Sequence, residues 1–272
     1  MDKRFFLMIV GLTFSNLSFS QIRFHHIVDE QKIQRKYGFT LQKIVTTPPS
    51  LSTPYETRIT TNVSLCNIKR KGVITVSSGQ INFDIWQIID DINCGANGLD
   101  STTSLKSTQI RFTDNRATLG RQTKVMWVPF QAINLGLNTL PFRYRLPITL
   151  PNGTKTTGIG TTSFQLALNA GYTWGWSAIN TRLINNYSIT LGGYFGPSTA
   201  DLKSGVYKDP TKYVADQTNA TLTYGANLIL ARNNLGLVFA FGTENATGKN
   251  GEQWIYNGKP YLAFGINTSF GK

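Results

Sequence analysis

Charge is scarce in this chain, and so are long apolar runs. Only 15% of its 272 residues are Asp, Glu, Lys or Arg. A water-soluble β protein normally places Lys and Glu along its outer faces, so strands this poor in charge argue against a sheet wetted on both sides. After the first twenty residues no apolar stretch approaches the ~20 residues a membrane helix needs, so any part that enters a membrane must enter as strand. Histidine is limited to His25 and His26. Neighbours on a strand point to opposite faces, so the two cannot share one metal ion. Cysteine is limited to Cys66 and Cys94. They form no CxxC pair and have no nearby His to build a metal site. In an oxidising compartment they form one disulfide or stay as two independent thiols. There is no G-x-S-x-G nucleophile elbow. The glycine-rich run 153–160, G-T-K-T-T-G-I-G, lacks the Lys and Ser/Thr of a phosphate loop after Gly158 and reads as a flexible loop. Asp90-Asp91 reads as a solvated pair rather than a cation site. The sequence therefore assigns no catalytic, cofactor-binding or metal-binding residue, calls for no cofactor, and does not point to an enzyme.

What is present is alternation. In 218–231, Ala220, Leu222, Tyr224, Ala226, Leu228 and Leu230 fall on one face, and Thr221, Thr223, Gly225 and Asn227 on the other. This period of two is that of a strand. After the turn-forming Arg232-Asn233-Asn234 it resumes with Leu235, Leu237, Phe239 and Phe241 against Gly236, Ala240 and Gly242. It returns with Leu262, Phe264, Ile266 and Phe270 against Ala263, Gly265, Asn267 and Ser269. Upstream, the same pattern marks segments within 125–144, 163–176 and 187–195. Each of the six segments has one apolar face and one small, polar face. That is the pattern of a membrane barrel, with lipid outside and a wet interior. The connections alternate as well: 145–162, 196–217 and 243–257 are long, whereas 177–186 and 232–234 are short. Outer-membrane barrels have long outer loops and short periplasmic turns. That orientation sends Trp127, Phe130, Trp174, Trp176 and Tyr187 to the periplasmic rim, and Phe142, Tyr144 and Phe195 to the outer rim, as two aromatic belts.

The rest of the chain frames this unit. Residues 1–20 read as a secretory signal peptide: Lys3 and Arg4, an apolar core, then Ser18 and Ser20 before a cleavage point at Gln21. Between 21 and 121 the alternation is short and interrupted by Pro48, Pro49 and Pro54. Strands are expected over 38–45, 58–68, 72–78 and 107–113, and Lys69-Arg70-Lys71 as a solvated turn. Ile81, Ile85, Ile88, Ile89 and Ile92 recur at helical spacing, which predicts a short amphipathic helix over 81–92 that plugs or caps a barrel, or else a non-membrane insert. The net charge of +13 is scattered over loops and strand ends rather than clustered with aromatics, so it does not describe a nucleic-acid surface.

The segments 254–260, W-I-Y-N-G-K-P, and 140–145, L-P-F-R-Y-R, resemble those of uncharacterised outer-membrane β-barrel proteins of the Bacteroidota. The likeness extends over 125–272. It implies an all-β antiparallel transmembrane barrel of about twelve strands, within a range of roughly 8–14. It also implies that Phe270 is the terminal aromatic read by barrel-assembly machinery, although Gly271 and Lys272 follow it. The expected domains are the signal peptide, 1–20, and the barrel, 21–272, with 21–121 open to being a plug or a non-membrane part. The expected setting is the outer membrane, as a monomer among its lipid and lipopolysaccharide. Two functions remain open: a small passive, porin-like pore with mild anion preference, or a non-conducting structural or surface-interaction barrel acting through its outer loops. Among the loop residues, Lys203, Tyr207, Lys208, Lys212 and Tyr213 are the candidates for surface contacts.

Overall fold

A computed structural model describes residues 25–29, 32–37, 39–47, 56–61, 69–88, 108–113, 124–150, 153, 155–163, 165–248 and 250–270. The signal peptide, both cysteines and Asp90-Asp91 lie outside these residues. The fold is all-β, antiparallel and barrel-like: thirteen strands join in one sheet. All six alternating segments are strands: β7 (Met126–Arg145), β9 (Leu166–Ile179), β10 (Ile184–Leu202), β11 (Gln217–Arg232), β12 (Leu235–Ala246) and β13 (Pro260–Ser269). Each pairs antiparallel with the next, and β13 returns to β7 with Tyr261 opposite Arg145 and Ser269 opposite Gly136. The six strands thus close a ring. The short strand β8 (Ile159–Thr161) extends the glycine-rich segment back onto Arg143–Arg145 as a hairpin, with Gly153 in the left-handed region at φ +82°.

Burial within the ring is inverted relative to a soluble protein. On β12, Leu235, Leu237, Phe239 and Phe241 are exposed, whereas Gly236, Val238, Ala240, Gly242 and Glu244 are buried. On β9, Leu168, Tyr172, Trp174 and Trp176 face out while Asn169, Thr173 and Ser177 face in. Trp127 and Tyr187 stack outside at 5.7 Å beside the short 180–183 connection, and Phe142 and Tyr144 stand at the opposite end. Phe130 departs from the expected belt: it is buried, because its position on β7 has inward parity and its ring fills the space over Gly175.

The N-terminal half follows the ordinary code. Strands β1 (His25–Asp29), β2 (Thr40–Thr47), β3 (Glu56–Thr61), β4 (Lys69–Ser77), β5 (Gln80–Ile88) and β6 (Thr108–Thr113) run in the order β1-β4-β5-β6-β2-β3. They join the ring through β1, whose His25 and His26 lie opposite Gln131 and Phe130 of β7, below the end of β13. Val28, Phe39, Ile74, Ile81, Phe83, Ile110 and Phe112 are buried and pack with Met126, Val128 and Ile179 of the ring's short-connection end. Among the described residues every exposed large hydrophobic lies at Val125 or later.

Two expectations are corrected here. Residues 81–88 of the expected 81–92 plug helix are strand: residues 80–88 form β5, paired with β4 on one side and β6 on the other, and 89–92 lie outside the described residues. Ile81, Phe83 and Ile85 face the core at strand spacing, so the isoleucine repeat satisfied two periods and cross-strand pairing decided between them. Lys69-Arg70-Lys71 is not a turn but the start of β4, with Arg70 buried. Gly72 marks a register shift at which a Cβ would collide with the Asp84 backbone.

Candidate functional site

The ring's interior carries the chemistry. Arg143 and Arg145 lie two apart on β7 and so share its inward face. Glu244 has the same parity on β12 as Gly242 and Ala240, and meets both arginines across the interior. Arg143 Nη1 donates to the Glu244 carboxylate and, at 2.7 Å, to Ser198 Oγ, while Nη2 donates to Ser163. Arg145 donates to Glu244 Oε2 from Nη2 at 2.7 Å and from Nε at 3.1 Å. Paired, multiply hydrogen-bonded charges are the condition under which guanidinium groups tolerate burial.

Phenols and loops continue the closure on both sides of this network. Tyr194 donates to Tyr261 at 2.9 Å, Tyr261 bonds Thr223, and Gln165 Nε2 reaches both Thr223 and Tyr261. Gly242 makes room for the Tyr194 hydroxyl, which would strike any Cβ there. On the long-loop side, the Trp254 ring lies 4.9 Å and the Tyr256 ring 5.8 Å from the Arg145 guanidinium carbon, a cation–π lid. Trp254, Ile255, Tyr256 and Tyr207 are buried together with Ala200 and Leu202 of β10. The 203–216 and 247–259 connections are joined by Ile255 N–H to Val206 O at 2.9 Å and Lys208 Nζ to Glu252 O at 2.7 Å. Tyr207 is therefore part of the lid and not a displayed loop residue, while Lys203, Lys208 and Lys212 are exposed. Tyr213 donates to Asp216 at 2.9 Å, a bond that raises its pKa. Asp209 accepts from the Thr211 hydroxyl and amide, which lowers its own.

Midway down the ring stand Asn134, Asn138, Asn169, Asn227 and Asn267, all buried. Asn267 Nδ2 donates to Asn138 Oδ1 at 2.9 Å, and Thr173 and Thr190 share a bond of 2.6 Å. Other polar atoms of the interior have no partner within the protein: Asn134 Oδ1, Asn138 Nδ2 and both polar atoms of Asn169 and of Asn227 at this level, and Gln165 Oε1 and Thr221 Oγ1 nearer the arginines. Each buried polar atom left unsatisfied costs about 1–3 kcal/mol. Eight of them together would rival the ~5–15 kcal/mol that holds a typical domain folded.

At the junction with β1, His26 Nε2 lies 2.8 Å from Ser177 Oγ, and Ser177 donates to Asn186 Oδ1 at 2.6 Å. This His–Ser contact has the polarity opposite to that of a nucleophile and its base. The Ile74 N–H donates to His26 Nδ1 at 3.4 Å, so Nε2 carries the ring proton and donates to Ser177. The Ser177 hydroxyl in turn donates to Asn186 Oδ1, and the three residues tie the two halves together. His25 and His26 diverge as adjacent strand residues do. Among the described residues no group of three or more metal-binding side chains occurs.

Sequence reasoning missed Arg143, Arg145 and Glu244 as a cluster. Two signals could have found it. Charge is rare in these strands, and Glu244 continues the inward parity of Gly236, Val238, Ala240 and Gly242 beyond the point at which the alternation was expected to stop. Comparison with protein-family models, curated proteins and solved structures gives no match.

Proposed function

We propose that the chain is an outer-membrane β-barrel protein whose six-strand ring crosses the bilayer as a closed, non-conducting barrel. Its long loops face outward and its N-terminal half lies on the periplasmic side. The observation that carries this reading is the reversal of burial at Val125: large apolar side chains face out from the ring, and an Arg–Glu–Arg network with hydrogen-bonded tyrosines fills it. A continuous apolar exterior of this extent suits lipid and not water. Trp127, Trp174, Trp176 and Tyr187 at one rim and Phe142 and Tyr144 at the other suit its two interfaces. The N-terminal half, apolar inside and, among the described residues, free of exposed large hydrophobics, suits water.

Ring size supports closure over conduction. Eight strands already leave an interior that side chains fill, and six leave less. The barrel then acts through its outer surface, where Lys155, Lys203, Lys208, Lys212 and Lys259 are exposed on the long connections toward the phosphates of lipopolysaccharide. Lipid, lipopolysaccharide and, through the last strand and Phe270, barrel-assembly machinery are its partners, and it works as a monomer. The second reading, a passive pore, draws on the polar interior: Arg143 and Arg145 would favour anions if the loops swung clear. Planar-bilayer recording of the folded protein separates the two. Silence from protein that fractionates with outer membranes is the expected result. Steady, chloride-favouring conductance would establish the pore instead, and recovery in the soluble periplasm would overturn both.

A further inference from the structure

We infer that the closed ring holds a small set of internal water molecules bound by the asparagine amides at its middle. This rests on the closed-barrel reading and extends it from what blocks the interior to what occupies the remainder. The first observation is the buried, partnerless set: Asn134 Oδ1, Asn138 Nδ2, and the amide atoms of Asn169 and Asn227, with Gln165 Oε1 and Thr221 Oγ1. All of these residues are more than nine-tenths buried and lie on inward-facing positions.

Register supplies the second observation, which is independent of the first. Each of three amides lies opposite a glycine on one neighbouring strand, although Asn169 also has Tyr194 on its other side. Asn134 pairs with Gly171, Asn169 with Gly136, and Asn227 with Gly192 and Ala240. The packing at these glycines is tight and admits no side chain. A Cβ at Gly171 would stand 2.8 Å from Thr190 Cγ2, and one at Gly136 would stand 2.9 Å from Asn267 Nδ2. Nothing larger than about one heavy atom fits beside these amides.

Chemistry then selects the ligand. The partnerless atoms include both donors and acceptors, and carboxamides and hydroxyls carry no charge. An anion would satisfy only the donors and a cation only the acceptors. A neutral molecule of one heavy atom that both donates and accepts is water, and buried water makes two to four bonds of this kind. The Arg143–Glu244–Arg145 network and its Trp254–Tyr256 lid close the route on the long-loop side. Met126, Val128, Phe130 and Ile179 close it on the short-connection side. Water held between them exchanges slowly and carries no current.

Two measurements test this. In wild-type protein labelled at asparagine and folded in detergent micelles, the Nδ2 protons of Asn138, Asn169 and Asn227 should show nuclear Overhauser cross-peaks to long-lived water. Their absence from resolved amide signals would overturn the inference. In urea unfolding from lipid vesicles, Asn227→Leu should lower the folded-to-unfolded ratio by roughly 5- to 150-fold, because bound water loses its partner. A rise in that ratio would mean a dry amide had been relieved, and would also overturn it. If Asn227→Leu does not fold, the wild-type cross-peaks decide alone. Ion conductance would refute the closed barrel while leaving those cross-peaks to be judged separately, so the two readings fail in distinguishable ways.

Discussion

Replacing Glu244 by alanine probes the centre of the ring. The Glu244 carboxylate is 1% exposed and receives bonds from both Arg143 and Arg145, so its loss leaves two like charges on one strand face with no carboxylate between them. Removing one partner of a buried ion pair costs about 3–5 kcal/mol, or roughly 100- to 5,000-fold in the folded-to-unfolded ratio. That is a large part of the ~5–15 kcal/mol typical of a folded domain. The assay is urea unfolding in lipid vesicles, read by the gel mobility of unheated samples and by tryptophan fluorescence. Glu244→Gln keeps an acceptor for Arg143 but not the charge and should fall between wild type and Glu244→Ala. The triple change Arg143→Leu, Arg145→Leu and Glu244→Leu removes every charge together and should recover much of the loss. An unchanged midpoint for Glu244→Ala would show that water reaches these groups freely, and the argument for a sealed interior would fail with it.

The other predictions concern the two faces and the junction. Phe239→Arg puts a cation on the outward face and should cost about 2–4 kcal/mol if that face meets lipid near mid-depth; a neutral effect on the same unfolding assay would count against a membrane-facing ring. Phe270→Ala should reduce the outer-membrane folded fraction in cells more than Phe239→Ala, although both rings are exposed at similar levels. Equal yields would remove any special role for the last strand. Tyr261→Phe deletes the hydroxyl shared by Tyr194, Thr223 and Gln165, and should cost about 1–3 kcal/mol in urea unfolding. His26→Ala breaks the link to Ser177 and should speed protease cleavage within 25–113 while leaving the ring protected.

The six ring strands were legible in the sequence because each keeps one parity over many residues; in the longest, β7, it holds from Met126 to Leu140 and then shifts by one at an irregularity opposite Phe264 and Ile266, which turns Arg143 and Arg145 inward. The ends were harder to read. β10 runs on to Leu202, and Ala200 and Leu202 turn inward under the Trp254 lid instead of opening into a loop. Glu244 was similarly read as loop because charge interrupts a pattern of small residues, although pairing continues through Ala246. Phe130 was assigned outward by residue type, against its parity. In 81–88 local spacing allowed helix and strand alike, and the choice was made by β4 and β6, which are distant in sequence.

These successes and misses follow from one chain using two burial codes. Among the described residues up to Phe112 the hydrophobic ones are inside and, apart from His26, Arg70 and Asn82, the polar ones lie toward the surface, so an apolar residue reports the core. From Val125 most large apolar side chains of the strands face outward, and the buried set mixes Asn, Thr, Gly, Arg and Tyr with Leu140, Ile229 and Val238, so residue type alone does not report burial. Only parity reports it there, which is why regular strands are read correctly and their irregular ends are not. The reversal also fixes where the two halves can meet. Met126, Val128 and Ile179 are apolar and inward-facing at the short-connection end of the ring, and there the ring's interior meets the N-terminal core with a surface of its own kind. Toward the long loops the same inward positions are Arg143, Arg145 and Glu244, which an apolar core would leave unpaired. Attachment of the N-terminal half at the short turns thus matches apolar surface to apolar surface and leaves the charged network at the other end intact.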